Sequence, residues 1–208
     1  MRVRSEEKRR EIVTVAAELF VELGYEHTSM SAISERVGGS KATLYGYFPS
    51  KEDLLRAVLE YDVANAAFLV LHEFPSDEDL RDGLSRLGSQ YLTRRLGALS
   101  IANMRTLASL PAESTMGKDF YETMVRPAWE LLSNHFADLM KAGRLRQADP
   151  WVAAMHWKGL NESELLEKRL VGAMSHPDPK EIKKLATLAA DAFLRIYGPE
   201  PANIDAQS

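Results

Sequence analysis

The sequence predicts an all-α protein in two parts, a small N-terminal head and a larger helical body. Three observations predict it. Apolar residues recur at helical spacing along most of the chain, and no useful stretch alternates as a strand would. Gly, Pro, Ser and Asp fall where helices should start and stop. The stretch from Met30 to Lys51, MSAISERVGGSKATLYGYFPSK, reads as two short helices with a tight turn between them. About nine helices are expected in all, with the head over 1–51 and the body over 52–208.

The first helix should run from about Ser5 to Leu23. Ile12, Ala16, Leu19, Phe20 and Leu23 form one apolar stripe along it. Gly24 ends it, and Thr28 or Ser29 caps the second helix. Ile33 and Val37 give that helix its inner face, and Gly38-Gly39 breaks it. Ser40 caps a third helix over about Lys41 to Tyr47, which turns Leu44 and Phe48 inward. Pro49 stops it, because the residue before a proline avoids the α region. Ser50 caps the next helix, with Asp53 three residues on.

Two short helices crossing through such a turn make a helix-turn-helix, and the outer surface of the second suits DNA. Its N-terminal half is small and polar, so it can enter a major groove about 12 Å wide. Lys41 can reach a phosphate or a guanine edge, and Thr43 a phosphate or a thymine methyl. The hydroxyls of Tyr45 and Tyr47 suit phosphate oxygens, and Lys51 adds a cation where a helix begins. The candidate DNA contacts are therefore Ser29, Ser31, Ser40, Lys41, Ala42, Thr43, Tyr45, Tyr47 and Lys51.

The run from Phe20 to Leu54, F-x-x-x-G-Y-x-x-T-S-M-x-x-I-x-x-x-V-G-x-S-K-x-T-L-Y-x-Y-F-x-S-K-E-x-L, resembles the N-terminal domain of the tetracycline-repressor (TetR) family. About a quarter of the chain, roughly Glu11 to Leu59, carries the resemblance. SKATLYGYFPSKEDLL at its distance from AAELFVELGY is what makes it specific. The chain departs from the family at Gly39, where members carry an apolar residue. The resemblance implies a head that binds DNA, a long fourth helix joining it to the body, a small-molecule pocket in the body, and a dimer.

Composition narrows the rest. The formal net charge is −4, yet residues 1–51 hold eight Lys/Arg against seven Asp/Glu. The cations cluster, with Arg2, Arg4, Lys8, Arg9 and Arg10 ahead of or within the first helix and Lys41 and Lys51 beside the turn. A local basic surface is what phosphate contact requires. No cysteine is present, which excludes disulfides, thiolate metal sites and cysteine catalysis. No apolar run of about 18 residues suggests a membrane span. The start, MRVRSEEKRREIV, lacks the apolar core of a secretory signal, so a cytoplasmic protein is expected.

The fourth helix should start near Lys51 and continue to about His72, with Leu54, Leu55, Val58 and Leu59 packed on the head. Past Tyr61 the run VANAAFLVLHEF enters a second core. Ser76 should cap the next helix, with Asp77, Glu78 and Asp79 in its first turn. That helix carries Leu80, Leu84, Leu87 and Tyr91 on one side. Gly97 and Pro111 bracket another. A helical region from about Glu113 to Ala142 contains Pro127, which should kink or split it. Asp149-Pro150 opens a helix expected to reach Val171. The last runs from Lys180 to Tyr197, and the tail GPEPANIDAQS reads as disordered.

The last helix has Ile182, Leu185, Ala189, Phe193 and Ile196 on one stripe, widened by Leu188 and Ala192. So broad a face suggests a homodimer through the last two helices, paired as a four-helix bundle. A two-fold dimer would set two reading helices about 34–36 Å apart on a palindromic operator in double-stranded DNA. For a small-molecule effector the candidate pocket residues are Tyr91, Asn103, Met104, Phe120, Met124, Trp129, His156, Trp157 and Asn161. Glu162 and Glu164 read as solvated. The five histidines never fall at ligand spacing with carboxylates, so no metal and no cofactor are expected. Taken together, the sequence reads as a ligand-responsive regulator of transcription, most simply a repressor. The rival readings are an all-α enzyme, for which no acid/base pair is legible, and an adaptor that keeps the head only as scaffold.

Overall fold

A computed structural model describes residues 5–73, 79–111 and 113–199, the side chains of 65–73 excepted. Among the described residues the chain is helical without strands, in the order α1 (Glu6–Leu23), α2 (Met30–Val37), α3 (Lys41–Tyr47), α4 (Lys51–Glu73), α5 (Leu80–Arg95), α6 (Ala98–Ser109), α7 (Met116–Phe120), a π turn (Tyr121–Val125), α8 (Arg126–Lys141), α9 (Pro150–Glu162), α10 (Leu165–Leu170) and α11 (Pro179–Tyr197). The expected all-α class and two-part plan are both observed.

The head is a three-helix unit that closes only with the start of α4. Its core gathers Ile12, Ala16, Leu19 and Phe20 from α1, Ile33 from α2, and Leu44 with Phe48 from α3. Leu54, Leu55, Val58 and Leu59 complete it from α4. Leu23, placed by sequence on the inner stripe of α1, is half exposed, because α1 ends there and its last turn has nothing to cover it. The same core continues into the body. Met116 is buried in it, and Leu99, Leu107, Leu110 and Phe120 pack against it from α6 and α7.

The body centres on α5 and α11, packed along their length with α8 and α9 beside them. Gly88 on α5 permits this closeness. A Cβ there would lie 2.4 Å from Asn161 Oδ1 and 3.2 Å from Ala186 Cβ. Leu84, Leu87, Leu132, Phe136, Trp157 and Phe193 fill one cluster, and Leu92, Leu96, Leu165, Ile182 and Ala186 a second. On α11 the inner face is Ile182, Ala186, Ala189, Ala190, Phe193 and Tyr197, so the stripe runs through Tyr197 rather than Ile196, which is exposed.

Several boundaries differ from expectation. Asp79, not Ser76, accepts at the start of α5, from Arg81 N at 2.8 Å and Asp82 N at 3.3 Å. Ser76, Asp77 and Glu78 lie outside the described residues. The helix opened by Pro150 stops at Glu162, well before Val171. Ser163 takes φ 42°, and α10 restarts in a new direction. Pro127 does not split the long region: the chain stays helical from Met116 to Lys141, and the proline is the second residue of α8. Its missing N–H leaves a gap in the hydrogen-bond ladder, and the turn just before it is π-helical, with Arg126 N–H on Tyr121 O. The tail beyond Pro199 and the basic residues Arg2 and Arg4 also lie outside the described residues.

Candidate nucleic-acid interface and body cavity

In the head, each helix start is held by a serine. Ser5 Oγ accepts from Lys8 N at 3.2 Å, Ser29 from Ala32 N at 3.1 Å, Ser40 from Thr43 N at 3.1 Å, and Ser50 from Asp53 N at 3.0 Å. Ser29, rather than Thr28, is thus the cap of α2. Thr28 is buried and donates to Leu19 O and Gly24 O. The α2–α3 turn is set by Gly38 at φ 71°, which only glycine adopts without strain. Ser34 Oγ donates to Gly39 O at 2.9 Å, so a side chain of α2 ties down the glycine pair.

This turn presents the N-terminal half of α3 outward. Ser40, Lys41, Ala42, Thr43 and Tyr45 are exposed in a row, while Leu44 and Phe48 anchor the opposite face. Ser29 stands exposed at the start of α2, with Ser31 half-buried beside it. Two candidate contacts also serve the fold. Tyr47 Oη accepts from Ser5 N at 3.0 Å. Lys51 Nζ donates to Tyr25 O at 2.8 Å and lies 4.2 Å from the Tyr25 ring centroid. Lys51 therefore closes the loop after α1, and that carbonyl competes with any phosphate for its ammonium. Arg36 is neutralised by Glu22 through two contacts of 3.0 and 3.3 Å. That bidentate pairing holds Glu22 below the usual carboxylate range.

The nine candidate pocket residues separate into several places. Tyr91, Trp129 and Trp157 form one aromatic group, with Tyr91 5.5 Å from Trp129 and 5.4 Å from Trp157. Asn161, one turn along α9 from Trp157, is buried against Gly88 and donates to Trp157 O. Asn103 is buried and donates to Asp62 Oδ2 on α4 at 3.0 Å. Met104 is half-buried on α6, and Phe120 packs on the core of the head. His156 is exposed, its Nδ1 2.7 Å from Tyr197 Oη. Met124 lines an apolar opening of about 260 Å³ with Val63, Ala64, Thr123, Pro127, Ala128 and Leu131. Val63 and Ala64 belong to α4 and Thr123, like Met124, to the π turn; Val63, Ala64 and Thr123 were not among the candidates.

Glu162 is where the sequence reading fails. Far from solvated, it is 6% exposed and accepts from Tyr91 Oη at 2.5 Å, Arg95 Nε at 3.0 Å and Lys158 Nζ at 2.5 Å. Burial pushes its carboxyl up, but the bonds from Lys158 and Tyr91 and the charges of Arg95 and Lys158 outweigh it and hold the group below its usual value. Tyr91 is pushed well above a normal phenol by burial first and the Glu162 charge second. Asp62 goes the other way: burial raises it, against the bond from Asn103. Glu164, just before α10, is exposed and pairs with Lys168 one turn along it, as a solvated residue would.

A helix-turn-helix head joined by a continuous helix to an all-α body defines a DNA-binding regulator. The comparisons give the family. The profile described as bacterial regulatory proteins, tetR family, matches residues 12–58, and that of the AefR-like transcriptional repressor C-terminal domain matches 82–199. The chain belongs to the TetR family of transcriptional regulators. It is 36% identical over 83 residues to the transcriptional activator FasR of Mycolicibacterium smegmatis, a match covering 40% of this chain and 38% of FasR. With TcmR of Streptomyces glaucescens it shares 32% over 112 residues, 50% of this chain and 49% of that one. These matches thus span under half the length of either relative. Among solved structures, a TetR-family regulator from Mesorhizobium loti has the same fold, with a TM-score of 0.85 at 24% identity over 95% of this chain and all of that one. The flavonoid-responsive regulator FrrA superposes with a TM-score of 0.69 at 26% identity, again over 95% and 100%. No described helix is long and apolar enough to cross a membrane.

Proposed function

We propose that the protein is a homodimeric repressor that leaves a palindromic operator when a small, largely apolar molecule fills the opening beside α4. One observation carries this reading. The helix that lines the opening with Val63 and Ala64 also sends Leu54, Leu55, Val58 and Leu59 into the core of the head. A ligand wedged between α4 and the π turn therefore bears on the part that holds α3. At 23 residues α4 is about 35 Å long, so a small tilt at the opening displaces its far end further. The natural division lies near Lys51, with 1–51 reading DNA and 52–208 sensing and pairing.

The reading of DNA rests on the exposed row from Ser40 to Tyr45, with Lys41 and Thr43 reaching base edges and Tyr47 a phosphate. Pairing of two copies is supported by apolar side chains left outside on α9 and α11: Val152 at 42%, Leu188 at 54% and Ile196 at 42% exposure. Gly159 adds an open patch on α9, with nothing within 4 Å of a Cβ placed there. The match to a repressor C-terminal domain supports the sign of regulation. The opening offers almost no polar wall, which favours an uncharged aromatic or aliphatic effector. Structural neighbours include a triclosan complex of SmeT and the flavonoid-responsive FrrA, so triclosan and a flavonoid are sensible first probes.

The test has two parts. Selection of sheared genomic DNA on the purified protein should enrich a palindrome. Operator-bound protein should then be titrated with the probes, and, separately, free protein with the probe that responds. Coupling is reciprocal, so saturating operator must weaken ligand binding by the same factor that ligand weakens operator binding. Ligand binding indifferent to operator would refute the repressor mechanism. Replacing Ala64 by Trp should fill the opening and lower operator affinity without any ligand.

A further inference from the structure

Every polar side-chain atom in the wall of the opening beside α4 is an acceptor, or a donor already in use. Seven residues line that opening. Thr123 carries the one hydroxyl among them, and it donates to Asp119 O at 2.6 Å, one turn back. With its proton committed, Oγ1 can still offer only lone pairs. Met124 adds a thioether sulfur, itself a weak acceptor. The other five side chains are hydrocarbon.

The main chain adds a further acceptor. In an α-helix the carbonyl of Thr123 takes the N–H of residue 127, and residue 127 is proline, which has none. Arg126 N–H does not make good the loss, because it goes back to Tyr121 O in the π register. Thr123 and Pro127 both line the opening, so this gap in the ladder lies in its wall. Single π turns inside long helices recur at functional sites.

We propose that the effector is an apolar molecule carrying one O–H or N–H donor, a phenol or an alcohol rather than an ether, a ketone or an acid. This rests on the opening being the effector site, as set out above. A ligand that fills the opening strips water from Thr123, and an acceptor buried without a donor is costly. A donor on the ligand meets Thr123 Oγ1 or its carbonyl and removes that cost. An ether oxygen in the same place sets lone pairs against lone pairs. A site built to bond a hydroxyl rejects the analogue that lacks it far more strongly than an apolar site rejects a change of one methyl group. A carboxylate is placed worse still, since no cation is among the lining residues.

The experiment measures calorimetric binding of matched pairs to the full chain, each phenol beside its own methyl ether. Triclosan and para-phenylphenol serve as the phenols, at mildly acidic pH where both are uncharged. Each phenol should bind about tenfold more tightly than its ether, which is what one hydrogen bond contributes. Thr123→Val keeps the shape of the wall, removes Oγ1, and should cut that preference several-fold. Pro127→Ala returns an N–H to the carbonyl, so Thr123→Val/Pro127→Ala should bind phenol and ether alike. A change that merely disturbed the wall would weaken both members of a pair equally and leave their ratio standing. An ether as tight as its phenol in the wild type overturns the proposal, as does a ratio untouched by both substitutions. Ala64→Trp tests the site separately, and it should abolish binding of phenol and ether together. Binding that survives Ala64→Trp, or failure of every pair to bind, removes the opening as the effector site and the proposal with it.

Discussion

In the head, Ser5, Ser29, Ser40 and Ser50 accept at the starts of α1 to α4. In the body, Asp79, Asp149 and Asp178 do the same work for α5, α9 and α11. Serine and aspartate cap about equally well. They differ in charge. An aspartate cancels the positive end of a helix dipole, whereas a serine leaves it in place. The second arrangement, which favours phosphate, applies to α2 and α3, whose first turns hold no acid, whereas α1 carries Glu6 and Glu7 and α4 carries Glu52 and Asp53 in theirs. The ion pairs differ at one place, since Arg81 with Asp191 and Arg126 with Glu130 in the body are as open to solvent as the pairs of the head. Those of the head, Lys8 with Glu11 and Arg36 with Glu22, are open to solvent, while Glu162 of the body is buried between Arg95 and Lys158. The head keeps its charge outside, where a polyanion can meet it. The body also places one charged cluster inside, where Glu162 of α9 meets Arg95 of α5.

Four substitutions would break or sharpen that contrast. Removing the buried acid by Glu162→Ala should have the largest effect, a loss of about 3 kcal/mol in urea denaturation, because Arg95 and Lys158 then face each other unpaired. The pH dependence has a definite sign. The folded Glu162 carboxyl sits below its usual value, so its stabilisation is present above about pH 4.3 and fades as pH falls through the lower folded value. The variant should lose that part of the acid limb. Gly88→Ala should cost about 2 kcal/mol by forcing α5 from Asn161 and Ala186, and thermal melting of the variant would show it. If either change reduced operator binding without a matching loss of stability, the separation of roles would be wrong.

Ser40→Asp addresses the head. It preserves the cap, so the melting temperature should barely move. It also places a carboxylate beside the exposed row of α3, and affinity for DNA of any sequence should drop about tenfold at low salt. Unchanged affinity in a titration would remove the charge argument for the serine caps. Asp62→Asn should have the smallest effect. Its folded carboxyl is raised, so the stability it favours is present below about pH 3.9 and lost as pH rises through the folded value. An asparagine keeps an acceptor for Asn103 without the charge. Stability should be equal or slightly higher at pH 7 and no higher at pH 3.5.

The candidate site was legible to different depths in these two regions. In the head, sequence neighbours are structural neighbours: the caps, the glycine break and the exposed row all lie within short runs. Even so, the engagement of Lys51 with Tyr25 O and of Tyr47 with Ser5 could not be read, because their partners are 26 and 42 residues away. In the body, aromatic and Met residues at helical spacing gave a list but no place. The structure gathers Tyr91, Trp129 and Trp157, sends Phe120 to the head, leaves His156 outside and puts Met124 at an opening the list did not foresee.

By itself the sequence determined the helices, most of their ends and the DNA-reading motif, since periodicity, capping and turn chemistry act over a few residues and are written locally. Tertiary structure alone decided which charges are buried, which apolar faces stay open and where α9 breaks. Glu162 lies 71 residues from Tyr91 and 67 from Arg95, and no local pattern announces that such distant groups will meet. Burial is a property of the partner surface, and the partner is chosen only when the helices pack.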